Sequence, residues 1–140
     1  MEEIKKEPVT VGLILINIIV FLAVEFSGSS QNTIHMLDCG AAYTPMIIEG
    51  GEYYRLFTCM FLHFGIEHLL NNMLVLFVLG QRLEPVLGKV KFILVYLLGG
   101  LGGNIFSLLM ETKKAEYAVS AGASGAVFAV MGAMLYVVIR

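Results

Sequence analysis

The chain has 140 residues, of which 58% are hydrophobic and 14% charged, with a mean hydropathy of +0.83. Soluble domains carry about 25% charged and about 45–50% apolar residues, so these values exclude a soluble fold and indicate an integral, all-α membrane protein. A formal charge of −2 without a basic block excludes nucleic-acid binding, and the apolar content excludes disorder.

The first apolar segment runs from Val9 to Phe26. Its length, about 27 Å as a helix, approaches the roughly 30 Å hydrocarbon core. The preceding residues mix both charges and no Ala-x-Ala pattern follows, so a retained span is expected rather than a signal peptide.

Residues 27–60 are too long for a simple helix connection. With Pro45, Gly50, Gly51, Ile47, Ile48, Tyr53 and Tyr54, they read as an ordered outer loop dipping toward the membrane interface. Cys39 and Cys59 are too few for a disulfide scaffold and are expected as unpaired thiols.

Three more apolar segments follow: Phe61 to Leu83, Phe92 to Met110 and Ala118 to Ile139. Strand-type alternation is absent, so a polytopic helical bundle is expected, not a barrel. A short charged link, Gln81 to Val90, joins the second and third segments. Gly99, Gly100, Gly102 and Gly103 give the third a close-packing face, which places it centrally.

An amino terminus in the cytoplasm puts Lys5, Lys6, Arg82, Lys89, Lys91 and Arg140 inside, against Arg55, Lys113 and Lys114 outside. The positive-inside rule favours that orientation, with the plasma membrane the expected location. The second and fourth segments then run in the same direction. His68, about seven residues into one, and Ser124, about six into the other, fall roughly 10 Å below the outer rim.

Polar groups crowd that level: His63, Glu67, His68, Asn71 and Asn72 in the second segment, Ser120 and Ser124 in the fourth. Polar side chains at membrane depth are costly, so they suggest a functional, water-holding cavity open to the outer face. A serine needs a base to become a nucleophile. A helix beginning near Ser124 would favour a developing negative charge, and Gly122 and Gly125 would admit a substrate backbone. His68 and Asn72, four apart, share a face and can both donate to an oxyanion. The residues alone leave open interhelical polar packing, and leave open His68 as the base for Ser124. His63 reads as loop-anchoring and His35 as solvated, and the histidines lack metal-site spacing.

Taken together, residues Tyr54 to Met134 resemble the rhomboid family of intramembrane serine proteases. The resemblance rests on Tyr54-Arg55, His63, the His-x-x-x-Asn motif of His68 and Asn72, and Gly80, Glu84 and Gly88. It is completed by Gly122-Ala123-Ser124-Gly125 and by Ala129-Val130-Met131-Gly132. It implies Ser124 as nucleophile, and His68, Asn72 and the Ser124 backbone as the oxyanion hole. Arg55 and Glu84 would be structural, fixing the outer loop and the inner turn.

The family fold has six helices, cleaves transmembrane protein substrates in the bilayer near their outer ends, and uses no metal or cofactor. Its base is a histidine on the sixth span. No histidine follows Ser124 here, so four of six spans are expected, with the base supplied by a missing carboxy-terminal half. The alternatives are a rhomboid-like protein that binds transmembrane clients without cutting them and, more distantly, a small transporter or assembly subunit.

Overall fold

The computed structural model describes residues 7–139. Lys5, Lys6 and Arg140, which entered the charge count, lie outside them. Helix α1 spans Pro8–Ser27, α2 Thr33–Cys39, α3 Thr44–Ile48 and α4 Arg55–Thr58, the last continued by a 3-10 turn at Cys59–Phe61. Three long helices follow: α5 Ile66–Leu87, α6 Lys89–Lys114 and α7 Ser124–Ile139. Among the described residues there is no strand, only an isolated antiparallel bridge between Ala42 and Ser120. The protein is an all-α helical membrane protein.

Helix α1 starts at Pro8, which has no N–H to leave unpaired, and the next two N–H groups meet an acceptor from a distant helix. Glu84 on α5 is buried and takes the Val9 N–H at 3.0 Å and the Thr10 N–H at 2.8 Å. Its Oε1 also accepts the Thr10 hydroxyl at 2.8 Å. A helix leaves its first N–H groups without internal partners, and here one carboxyl from α5 supplies them.

Helices α5 and α6 are joined by Gly88 alone, not by a charged link from 81 to 90. Gly88 has φ +87° and donates its N–H to the Glu84 carbonyl, a left-handed reversal that needs no further residues. Pro85 sits in the last turn of α5, where little helix remains to break.

The segment between α1 and α5 is ordered by its own short helices. The Asn32 side chain caps α2 at the His35 N–H, and Gly40, with φ +116°, closes it. Arg55 then ties the segment together. Its Nη1 donates to the carbonyls of Leu37 at 2.6 Å and Ala41 at 2.8 Å, while Nε and Nη2 meet Glu52. His35 is not simply solvated: its Nε2 lies within hydrogen-bonding distance of the Val24 carbonyl and the Ser27 hydroxyl. Cys39 and Cys59 are both unpaired thiols.

By length and composition, α1 and α6 are each apolar and long enough to cross a membrane. The segment Arg55–Phe61 and α5, bent by 87°, make a third if taken as one span. The described part of α7, 16 residues or about 24 Å, is shorter than the fourth segment suggested, because residues 118–123 are not helical.

Small residues set the α6–α7 contact. Gly99 lies against Ala129, Gly100 against Ala126 and Met60, and Gly103 against Gly125. Helix α6 touches α1, α3, α4, α5 and α7, yet only 17% of its most apolar stretch is buried, so it is not enclosed. The main core gathers Leu13, Phe21, Leu76, Leu83, Phe92, Tyr96 and Val130 from the four long helices.

Candidate functional site

Ser124 is the first residue of α7, not the sixth of a longer helix. The residues before it bond to the segment between α1 and α5 instead of to each other. Ser120 exchanges two backbone bonds with Ala42, the Gly122 N–H donates to the Cys59 carbonyl at 2.8 Å, and Gly122 has φ +124°. The Ala123 N–H goes to His63 Nε2 at 3.2 Å. Only then does the helix close, with the Val127 N–H on the Ala123 carbonyl. The amides of Ser124, Gly125 and Ala126 therefore have no intrahelical acceptor, and they concentrate the positive end of the helix dipole beside the hydroxyl.

His68 is likewise near a helix start, as the third residue of α5. Its ring lies directly against Gly122. A Cβ there would approach His68 Cε1 to 2.5 Å and Nε2 to 2.9 Å, so both the space and the positive φ call for glycine. The His63 and His68 rings meet edge-on, with centroids 5.1 Å apart. Asn72, one turn further along, is on the His68 face and is buried, and its Nδ2 has no partner. His63 Nδ1 is also buried and unpartnered. Buried polar atoms without partners call for water or a ligand.

Among the described residues, neither the Ser124 hydroxyl nor the His68 ring makes a hydrogen bond. Glu67 points to solvent beside His68. No group of three or more His, Cys, Asp or Glu among the described residues could hold a metal ion. The structure thus brings the start of α7, Gly122, His63 and His68 together. Gly125 faces α6, where a Cβ added to it would meet the Gly100 backbone at 3.8 Å and one added at Gly103 would meet the Gly125 Cα at the same distance. Arg55 and Glu84 stand apart from this group, in the α1–α5 connection and against the start of α1.

Sequence reasoning passed over Asn104 and gave Cys59 only a redox reading. Asn104 Nδ2 donates to the Leu56 carbonyl at 2.7 Å and lies 3.2 Å from Cys59 Sγ. The signal was available, since an amide inside an apolar helix needs a partner. Its neighbours Gly99 to Gly103 drew the reading toward packing instead.

Residues 50–140 match the Rhomboid domain family. The chain is 39% identical over 132 residues to the rhomboid protease GluP of Bacillus subtilis, covering 94% of this chain and 25% of that protein. It is 43% identical over 110 residues to RHOMBOID-like protein 6, mitochondrial, of Arabidopsis thaliana, covering 79% and 34%. It is 42% identical over 108 residues to RHOMBOID-like protein 1 of the same plant, covering 77% and 26%. The chain therefore spans between a quarter and a third of the length of these relatives. On this similarity, the chain belongs to the rhomboid family.

Proposed function

We propose that this chain carries the nucleophile and oxyanion-stabilising part of an intramembrane serine endopeptidase. The observation that carries the reading is the His68 ring resting on Gly122, two residues before a serine that opens a helix. In this reading, Ser124 Oγ attacks a peptide carbonyl of a transmembrane substrate near its outer end. The serine proton passes to a histidine outside residues 1–140. Charge on the carbonyl oxygen is taken up by the Ser124 N–H, Asn72 and His68. Collapse of the intermediate expels the amine, which leaves with the proton, and water then releases the acyl group from Ser124.

The reading assigns His68 donation to the oxyanion and not the base role. The orientation that goes with this reading has cytoplasmic ends, the start of α7 toward the outer face, and a plasma-membrane location. The test is fluorophosphonate labelling of the full-length protein. Labelling should depend on Ser124, and its persistence in Ser124→Ala would refute the nucleophile. The second reading, a rhomboid-like protein that holds transmembrane clients without cutting, draws on the same unbonded Ser124 hydroxyl. Absence of labelling together with stable co-purification of a client would favour it.

A further inference from the structure

We propose that Asn104 is a positioning residue for Ser124, acting through the Leu56–Cys59 turn. This inference rests on the serine-protease reading of the site. Asn104 projects from α6, and its Nδ2 donates to the Leu56 carbonyl at 2.7 Å, with Cys59 Sγ at 3.2 Å. A carbonyl can only accept, which fixes the NH2 side of the amide toward the turn. The Cys59 carbonyl then accepts the Gly122 N–H at 2.8 Å. Gly122 is two residues from the nucleophile.

The same helix also grips the other side of Ser124. Gly103, the residue before Asn104, faces Gly125, the residue after Ser124, closely enough that a Cβ added at Gly103 would sit 3.8 Å from the Gly125 Cα. Ser124 is thus bracketed by α6: by direct contact at Gly125, and through the turn at Gly122. Losing the amide would free the turn while leaving the Gly125 contact intact, so the backbone would shift at Gly122 against a fixed Gly125. Such a shift changes where the hydroxyl and the free amides of α7 point without removing any group that touches substrate.

The experiment uses the full-length protein in lipid nanodiscs, with fluorophosphonate labelling of Ser124 and cleavage of a model transmembrane substrate, both per folded molecule. Asn104→Ala should lower kcat and the labelling rate by about 10–100-fold with KM within about twofold, as expected for a misplaced nucleophile. Thr44→Val, which breaks the 2.8 Å bond to Glu111 elsewhere on α6, should lower the melting temperature and leave labelling per folded molecule within about twofold.

Asn104→Asp keeps the shape, but its carboxylate cannot donate. Protonation restores an O–H, so its labelling relative to the parent protein should rise as pH falls. Equal labelling in Asn104→Ala and the parent would overturn the proposal, as would a pH-independent ratio for Asn104→Asp should the alanine variant not fold. Failure of the parent protein to label, or labelling that survives Ser124→Ala, would instead sink the protease reading itself.

Discussion

Glu84 and Thr10, 74 residues apart, share two hydrogen bonds of 2.8 Å, from the threonine N–H and from its hydroxyl to one carboxyl oxygen. With the Val9 N–H on the other oxygen, a side chain of α5 serves as the cap of α1. Glu84→Ala should therefore destabilise the protein by about 2–5 kcal/mol, because it leaves buried N–H groups without an acceptor. Thr10→Val removes the hydroxyl bond alone and should cost about 1 kcal/mol. Thermal unfolding in detergent, followed by circular dichroism, measures both. Equal costs would contradict this arrangement.

Asn72 bears on rate, not on folding. Its Nδ2 is buried without a partner in the resting protein, so Asn72→Ala removes no existing hydrogen bond from that atom. The expected result is a fall in cleavage rate on the order of 10²–10³, with the melting temperature little changed. Steady-state cleavage of a model substrate checks it. A collapse in stability with unaltered turnover of the folded fraction would count against an oxyanion role.

The segment between α1 and α5 should depend on the fork of Arg55. One guanidinium nitrogen bridges the Leu37 and Ala41 carbonyls while the others hold Glu52. A lysine cannot reproduce that planar geometry. Arg55→Lys should cost about 1–3 kcal/mol and speed hydrogen exchange at residues 37–42, with α6 unaffected. Exchange mass spectrometry distinguishes this local loosening from global unfolding.

The glycines of α6 should not be equivalent. Gly99 lies so close to Ala129 that an added Cβ would overlap it, and Gly99→Ala should cost about 1–3 kcal/mol. A Cβ added at Gly103 would meet the Gly125 Cα at 3.8 Å, an ordinary contact, and the alanine variant should be nearly neutral. At Gly102 nothing lies within 4 Å, and Gly102→Ala should stabilise by up to about 1 kcal/mol through helix propensity. Unfolding midpoints of the three variants test the order.

The family and the long helices were legible in the chain because each signal is local. Apolar runs of crossing length, the four-residue spacing of His68 and Asn72, and the small residues around Ser124 all lie within one segment. Residue order could also suggest that Ser124 starts a helix. It could not show that residues 118–123 stay out of the helix, because that depends on Ala42, Cys59 and His63 accepting or donating from 60 or more residues away.

Tertiary structure alone decided the partners. Glu84 reads in the sequence as belonging to an inner turn, yet its carboxyl holds α1. Gly122 reads as room for a substrate, yet its missing Cβ is the space taken by the His68 ring. Asn104 looks like one polar residue in a packing stripe, and only the fold puts the Leu56 carbonyl within reach. The physical reason is common to all three. Hydrophobic periodicity records which face of a helix is buried, whereas a hydrogen bond depends on which donor and acceptor from distant segments arrive at the same point.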